Sequence, residues 1–202
     1  MEISLHIAEG LTYLHTPKVG ILHRDLAARN VLVVSDGSCK LADFGLARSV
    51  GEGETYVATS AIPVRWSAPE VLRESKVTQA ADCYSLAMTM VEVFSAGQEP
   101  LAHLKETGAI IAAVVTGTRP EQPPRCPGEV FEIMEALWAE ERKERLSAAD
   151  AVKQLAAVLA ENDADSDTYA LADADASAYH TPANLHAVYA SVFQATGALS
   201  RA

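Results

Sequence analysis

Three polar side chains near the start of the sequence are of the types that bind metal ions and move protons. Asp25 and Asn30 belong to the run His-Arg-Asp-Leu-Ala-Ala-Arg-Asn at residues 23–30, and Asp43 begins an Asp-Phe-Gly motif. One amide and one carboxylate oxygen suit Mg²⁺, which binds few protein oxygens and keeps water or phosphate as its other ligands. A further carboxylate beside that pair can accept a proton from an attacking hydroxyl group. Either motif alone is common in proteins, and it is their joint occurrence that predicts an active site.

A β-hairpin between the two motifs is needed to bring them together. Residues 31–34 and 39–42 are short apolar and β-branched runs, and the Asp-Gly pair at residues 36–37 between them is a hairpin signal. Because the residues that enter and leave a hairpin lie side by side, we expect both motifs to converge on one point.

The remaining pattern predicts helices around this hairpin. Residues 3–15 place apolar side chains at helical spacing, and residues 86–94 are apolar on nearly every side, as in a helix at the centre of a core. A further helix is predicted around residues 130–138. Ser147 followed by Asp150 resembles a capping box that opens a last helix. The predicted architecture is mainly α-helical with one small hairpin.

One long segment carries no hydrophobic period. Residues 45–70 contain Gly51, Gly53, Pro63 and Pro69, so we expect an ordered or semi-ordered loop there. A loop of that length inside a compact domain is usually functional.

The composition is that of an ordinary soluble globular protein with excess acid. The chain has 202 residues, of which 49% are apolar and 21% charged, and its net charge of −11 argues against coating nucleic acid or an anionic membrane. The longest apolar run, residues 109–115, is too short to span a bilayer, and the first residues do not form a signal peptide. Three widely separated cysteines lack metal-ligand spacing and indicate thiols in a reducing compartment. We expect an intracellular protein without a nucleic-acid partner or a membrane segment.

Charge and alanine content change near Ala160. Residues 161–202 contain six carboxylates, one cation and twelve alanines, and few side chains that could form a core. We therefore expect a folded domain at residues 1–160 and an acidic, Ala-rich tail at residues 161–202 that is disordered or weakly helical.

Further motifs follow the first two in a recognisable order. They are Pro-Val-Arg-Trp at residues 63–66, Ser-Ala-Pro-Glu at residues 67–70, Asp-Cys-Tyr-Ser at residues 82–85, Trp138 and Arg145. Together the motifs resemble the C-terminal lobe of a eukaryotic protein kinase, and of a tyrosine kinase in particular, over about residues 3–160. The resemblance implies an α+β family fold, of which this chain carries the mainly helical lobe with a small hairpin at the catalytic cleft.

The resemblance implies ATP and Mg²⁺ as cofactors and proteins with tyrosine as substrates. Asp25 is then the catalytic base that orients and deprotonates the acceptor hydroxyl, while Asn30 and Asp43 hold Mg²⁺ against the ATP phosphates. Ser/Thr kinases usually carry a lysine two residues after the catalytic aspartate. Here that position is Ala27 and the cation, Arg29, comes two residues later, which implies tyrosine specificity.

Other matching positions are assigned by resemblance to the nucleotide site and its support. Leu32 would pack beneath the adenine ring. His23 and Phe44 would stack within the hydrophobic column that marks the active state, and Gly45 completes the Asp-Phe-Gly motif. Asp82 would accept hydrogen bonds from the backbone of the catalytic loop, because a buried carboxylate needs partners.

The resemblance also makes the segment from the Asp-Phe-Gly motif to Glu70 an activation segment. An ion pair of Glu70 with Arg145 would tie the end of this segment to the helical base. Tyr56 is then a candidate phosphorylation switch, whose phosphate Arg24 and Arg48 can bind to order the loop. A solvated loop tyrosine without that function is the alternative.

Tyrosines also recur in the tail. Tyr169, Tyr179 and Tyr189 are spaced at intervals of ten, and Asp165 and Asp167 precede the first. Acidic residues before an exposed tyrosine suit a tyrosine-kinase substrate, and the phosphorylated tail could bind phosphotyrosine-binding modules. Coincidence in a low-complexity segment is the alternative.

The sequence departs from the family pattern in identifiable places. No Gly-rich loop precedes His23, and no lysine stands in a Val-Ala-Ile-Lys context, although the N-terminal lobe of the family carries both. We therefore expect a truncated kinase that is inactive in isolation. Tyr84, Ala87 and Leu146 replace a family Trp, Gly and Pro, and these changes affect packing without removing a chemical group.

Three functions remain open from the sequence. The first is a tyrosine kinase, the second a non-catalytic scaffold that keeps only the helical lobe, and the third a Ser/Thr kinase of the tyrosine-kinase-like group. Residues 27–29 and the Pro-Val-Arg-Trp segment argue against the third. The expected location is the cytoplasm, or the cytoplasmic face of a membrane if the parent protein is a receptor.

Overall fold

The computed structural model describes residues 1–51, 54–59 and 62–166, with side chains as far as residue 162 in the last helix. The helices are α1 (Glu2–His15), α2 (Pro69–Glu74), α3 (Gln79–Phe94), α4 (Thr107–Val115), α5 (Gly128–Leu137) and α6 (Ala148–Ser166). The strands are β1 (Ile21–Leu22), β2 (Val31–Val33), β3 (Cys39–Leu41), β4 (Arg48–Ser49), β5 (Tyr56–Val57) and β6 (Lys76–Val77). This mainly helical arrangement with a few short strands confirms the predicted fold class.

Helix α3 lies at the centre of the core. Its side chains are buried along almost the whole length of the helix, and α1 and α5 pack directly against it. Helix α6 packs in turn on α1 and α5. Fully buried side chains such as Leu86 and Met88 each contribute about 1.5–3 kcal/mol of apolar burial. The segment can be apolar on nearly every side because almost all of the helix is packed against other parts of the protein.

The predicted hairpin is present as strands β2 and β3. Val31 pairs with Leu41 and Val33 with Cys39 in an antiparallel register. Asp36 stabilises the turn, because its Oδ1 accepts hydrogen bonds from the backbone nitrogen of Ser38 at 2.9 Å and from its hydroxyl at 2.6 Å. The hairpin therefore brings the residues before β2 and the residues after β3 side by side.

The sequence analysis was incomplete in predicting only one hairpin. Strand β1 pairs with β4, and β5 pairs with β6, so two further antiparallel pairs lie within or against the segment predicted as a long loop. Each of these strands has only two residues, which is too short to show a periodic pattern. The helices α2 and α4 were likewise not anticipated.

The last helix begins as its sequence predicted. The Ser147 hydroxyl accepts a hydrogen bond from the backbone nitrogen of Asp150 at 3.1 Å and donates to the Asp150 carboxylate at 2.7 Å. The helix continues past Ala160 to Ser166. Most of the predicted tail, with Tyr169, Tyr179 and Tyr189, lies outside the described residues, so the division at Ala160 stays a prediction. Among the described helices, none is both long enough and apolar enough to cross a membrane.

Candidate active site

Asp82 on α3 holds the start of the loop of residues 23–30 through hydrogen bonds to its backbone. The two carboxylate oxygens of Asp82 accept hydrogen bonds from the backbone nitrogens of His23 at 2.8 Å and Arg24 at 2.9 Å. His15 Nε2 lies 3.0 Å from the same carboxylate, which is 1% exposed. Burial opposes the charged form of Asp82, but these hydrogen bonds outweigh it and hold its pKa below the usual range. A charged carboxylate therefore fixes the backbone that leads into the site.

Asn30 orients Asp25. The Asn30 amide nitrogen donates to the Asp25 carbonyl oxygen at 2.7 Å and to Asp25 Oδ2 at 3.0 Å. The backbone carbonyl oxygen of Asn30 accepts a hydrogen bond from the backbone nitrogen of Ala42 at 2.9 Å, at the open end of the hairpin. Arg29 contacts the other carboxylate oxygen of Asp25. Both predicted motifs are thus joined through one buried asparagine.

His23 links the same two motifs from the other side. Its Nδ1 lies 3.3 Å from the backbone nitrogen of Asp25, and its Nε2 lies 3.2 Å from the carbonyl oxygen of Ala42. A neutral ring that is protonated on Nε2 satisfies both contacts, and burial lowers the pKa of His23 in agreement with that state. The centroid of the Phe44 ring lies 5.2 Å from that of His23. The two ring planes are inclined by 53°, so the rings are in tilted contact, and their place in a hydrophobic column stays a prediction.

Asp43 lies two residues after the end of strand β3 and is exposed. Its backbone adopts a left-handed conformation with φ of 58°, and its exposed side chain accepts a hydrogen bond from the Gly45 nitrogen at 3.1 Å. A Cβ atom at position 45 would lie 3.1 Å from Asp43 Oδ1, so a larger residue would make the Asp43 carboxylate shift by a few tenths of an ångström.

The donor set of the site fits Mg²⁺ shared with phosphate. The amide nitrogen of Asn30 is engaged by Asp25, so Asn30 Oδ1 is the atom of this side chain that could hold a metal ion, together with an oxygen of the exposed Asp43 carboxylate. Within the described ranges, no cluster of three or more His, Cys, Asp or Glu side chains forms a complete protein metal centre. Two protein oxygens completed by water and phosphate are typical of Mg²⁺ sites in nucleotide-binding proteins.

Leu32 lies on β2, the strand that follows Asn30. Its side chain is 57% exposed, and the neighbouring Val33 is also exposed. The assignment of Leu32 to an adenine site stays a prediction.

Tyr56 lies close to Arg24 and Arg48, the two arginines expected to bind its phosphate. The guanidinium carbon of Arg24 lies 4.5 Å from the ring centroid of Tyr56, and that of Arg48 lies 5.8 Å away. Arg24 also donates to the carbonyl oxygen of Leu46 at 2.6 Å. A hydrogen bond with Thr59 and the nearby cations lower the pKa of the Tyr56 hydroxyl.

Glu70 and Arg145 form the expected ion pair away from the catalytic residues. Both terminal guanidinium nitrogens contact the carboxylate, at 2.7 and 2.8 Å. Arg145 also donates to the carbonyl oxygens of Ala80 and Ala139. This pair connects α2 to the segment that leads into α6.

The sequence analysis missed Glu92. This buried carboxylate on α3 accepts hydrogen bonds from the backbone nitrogen of Ala28 at 2.8 Å and from the Trp66 indole at 2.7 Å. Burial raises the pKa of Glu92. A signal was available, because Glu92 is a charged residue in a helix that is otherwise apolar, and a buried charge needs partners.

This geometry agrees with the comparisons to known proteins. The family model for protein tyrosine and serine/threonine kinases matches residues 1–155. The chain belongs to this protein kinase family.

The similar curated proteins include several tyrosine kinases. The chain is 40% identical over 147 residues to the megakaryocyte-associated tyrosine-protein kinase of Mus musculus, covering 72% of this chain and 28% of that protein. It is 34% identical over 158 residues to tyrosine-protein kinase csk-1 of Caenorhabditis elegans, covering 78% and 29%. It is 41% identical over 142 residues to ephrin type-A receptor 7 of Gallus gallus, covering 69% and 14%. The chain thus spans less than a third of the length of these relatives.

Proposed function

We propose that residues 1–160 form the catalytic C-terminal lobe of a protein tyrosine kinase, which transfers phosphate from ATP to protein tyrosine. The observation that carries this proposal is that Asp25 and Asn30, which are hydrogen-bonded and precede β2, lie at the same open end of the hairpin as Asp43, which follows β3. With that arrangement we expect Asp25 to act as a proton acceptor near two oxygens that would bind Mg²⁺, as phosphoryl transfer requires.

The residues of the site have distinct tasks in this proposal. Asp25 orients the acceptor hydroxyl and accepts its proton. Asn30 keeps Asp25 in place through its amide nitrogen and, with Asp43, holds Mg²⁺. The metal and ATP supply charge neutralisation and the phosphoryl group. Arg29, which already contacts Asp25, offsets negative charge on the acceptor side.

Tyrosine is the acceptor that the chain and its relatives favour. The family model covers both tyrosine and Ser/Thr kinases, but the relatives named above include two tyrosine-protein kinases. In this chain Arg29 is the cation that would lie near the substrate hydroxyl, and Ala27 stands where a Ser/Thr kinase usually has lysine. Equal turnover of matched tyrosine and serine peptides would favour a dual or Ser/Thr activity.

Partners and location follow from the same proposal. The substrates are proteins that expose tyrosine, and the tail tyrosines would bind phosphotyrosine-binding modules after phosphorylation. The kinase domain would act in the cytoplasm, or at the cytoplasmic face of a membrane if the parent protein is a receptor.

The experiment joins the N-terminal lobe of a related tyrosine kinase to Met1 and measures phosphorylation of a tyrosine peptide. We expect the fusion to be active and the unfused chain 1–202 to bind ATP weakly and to transfer no phosphate, because the glycine-loop amides and the strand lysine stabilise the phosphates. Asp25→Asn should abolish activity of the fusion. Glu135→Gln, an exposed carboxylate on α5, serves as the matched control.

The outcomes separate the two leading functions. Activity of the fusion that is lost in Asp25→Asn and kept in Glu135→Gln supports the kinase. A folded fusion that neither binds Mg²⁺-ATP nor phosphorylates any peptide supports the non-catalytic scaffold. Robust turnover by the unfused chain would show that the N-terminal lobe contributes less than expected.

A further inference from the structure

Helix α3 holds Trp66 at two points. The Ser85 hydroxyl donates to the Trp66 carbonyl oxygen at 2.7 Å, and the Trp66 indole nitrogen donates to Glu92 Oε2 at 2.7 Å. All three residues are buried. The tryptophan that ends the Pro-Val-Arg-Trp motif is therefore fixed in both its backbone and its ring by one central helix.

The same oxygen of Glu92 also holds the catalytic loop. Glu92 Oε2 accepts a hydrogen bond from the backbone nitrogen of Ala28 at 2.8 Å. Ala28 precedes Arg29, whose guanidinium carbon lies 4.6 Å from the centroid of the Trp66 ring. Glu92 thus fixes Arg29 in two ways, through the adjacent peptide and through the ring on which the guanidinium stacks.

Arg29 connects Glu92 and Trp66 to Asp25. Its guanidinium contacts Asp25, the residue assigned as proton acceptor. A connected path of contacts therefore runs from a buried carboxylate on α3 through Trp66 and Arg29 to Asp25. The path ends at Asp25 Oδ1, whereas Asn30 contacts the other carboxylate oxygen, Asp25 Oδ2.

We propose that Glu92 is a positioning residue, which places Trp66 and Arg29 so that an acceptor tyrosine can approach Asp25. The inference rests on the proposed function and deepens it. Glu92 does not touch the substrate, and it acts through its two hydrogen bonds. Loss of the Glu92 carboxylate should therefore lower kcat/KM for the tyrosine substrate and leave the KM for ATP nearly unchanged.

An apolar side chain would fit this position of the core at lower cost than a carboxylate. Burial of a charge costs free energy, and apolar side chains fill most neighbouring positions of α3. Thr89, one turn earlier on α3, is also buried, but its hydroxyl donates within the helix to the Ser85 carbonyl oxygen. Glu92, in contrast, bonds outward to two other segments.

The test compares three variants of the full chain. Glu92→Leu removes the acceptor, whereas Glu92→Gln keeps an amide oxygen that can take the place of Oε2. Thr89→Val is the matched control, since it alters a buried polar group on the same helix without touching Trp66. Each variant is made in the 202-residue chain and in the fusion with an N-terminal lobe.

Hydrogen exchange measures the contact itself in the unfused chain. The sequence has only two tryptophans, so the indole N–H signal of Trp66 can be assigned by comparison with a Trp138→Phe variant. We expect Glu92→Leu to accelerate exchange of the Trp66 indole and of the Ala28 amide. Glu92→Gln and Thr89→Val should leave both close to wild type.

Steady-state kinetics of the fusion measure the consequence. Glu92→Leu should lower kcat/KM for a tyrosine peptide by about 10- to 100-fold, as expected for loss of a buried hydrogen bond to a charged group. The KM for ATP should change less than about twofold, and Glu92→Gln should restore most of the peptide activity. Thr89→Val should lower thermal stability without this selective loss.

Two results would overturn the inference. One is unchanged exchange at Trp66 and Ala28 in Glu92→Leu, which can be seen even if the fusion transfers no phosphate and the proposed function fails. The other is a Glu92→Leu fusion that loses peptide and ATP use in equal proportion, or loses neither, since that behaviour indicates only a structural role.

Discussion

Arg145 and Glu70 form a two-point ion pair between segments that are far apart in the sequence. The Arg145 side chain is fully buried, the Glu70 side chain is 14% exposed, and both guanidinium ends contact the carboxylate. Glu70 follows the activation segment expected from the resemblance, and Arg145 precedes α6. The pair therefore joins the segment that would bind substrate to the helical base.

Arg145→Ala should destabilise the chain strongly. Removing one partner of a buried pair leaves the other without compensation, which costs about 3–5 kcal/mol and corresponds to roughly 10 °C in melting temperature for a domain of this size. Thermal unfolding followed by circular dichroism measures the change. Arg125→Ala, at an exposed arginine, is the control. A melting curve of Arg145→Ala equal to wild type would contradict the structural role of the pair.

Tyr84→Phe should leave stability unchanged or raise it by about 1 kcal/mol. The Tyr84 hydroxyl is buried and has no hydrogen-bond partner within the described part of the chain, and burial raises its pKa to about 12. The ring, whose centroid lies 5.2 Å from the guanidinium carbon of Arg119 and 5.3 Å from that of Arg145, is kept in this variant. Chemical denaturation measures the difference.

Tyr84→Ala provides the contrasting control. It removes the ring together with the hydroxyl and should cost about 3 kcal/mol or more. A clear destabilisation by Tyr84→Phe would indicate that the hydroxyl has a partner.

The helices and the hairpin could be predicted because each carries a local pattern. Apolar spacing identified α1, continuous apolarity identified α3, and the Asp-Gly pair identified the turn of the hairpin. Strands β4 and β5 could not be predicted, since two residues that pair with distant β1 and β6 show no period of their own.

The site was predictable in composition more than in geometry. The motifs gave Asp25, Asn30 and Asp43, and the hairpin explained why they could meet. His15 was missed because its partner Asp82 becomes a neighbour only when α1 packs on α3. Glu92 stood out as a charge in an apolar helix, but its partners Ala28 and Trp66 lie far from it in the sequence. Contacts of this kind depend on tertiary structure and leave no spacing in the sequence.

Stability should fall as the solution is acidified from pH 7.5 to 5.5, in part because of His23. Burial lowers its pKa in the folded chain, so the unfolded chain, with an ordinary histidine pKa of about 6.5, binds a proton that the folded chain does not. The stabilising contribution is present above that pH and is lost as the pH decreases. Asp82, whose folded pKa is also lowered, loses its contribution only below about pH 4.

Urea denaturation across this pH range tests the assignment. The free energy of unfolding of wild type should depend on pH more steeply than that of His23→Gln. Burial raises the pKa of Glu92, which therefore contributes with the opposite sign, but this contribution cancels in the comparison. Equal pH slopes for the two proteins would mean that His23 is not held in its neutral form.

Phosphorylation of Tyr56 should stabilise the chain. The phosphate adds a charge of about −1.5 to −2 beside the guanidinium groups of Arg24 and Arg48, which already face the Tyr56 ring. Arg24 is buried and desolvated, as its lowered pKa reflects, so an anion placed next to it forms a stronger pair than in water. We expect the melting temperature to rise by roughly 3–6 °C.

The measurement uses the chain after treatment with an active tyrosine kinase, with the phosphate located by mass spectrometry. Tyr56→Phe, treated in the same way, accounts for phosphate on other tyrosines. Arg48→Gln should lose part of the gain, and added salt should reduce the gain by screening the exposed guanidinium of Arg48 more than that of buried Arg24. If the chain carries phosphate on Tyr56 and melts at or below the temperature of the untreated chain, the two arginines do not bind the phosphate and Tyr56 does not order the segment in this way.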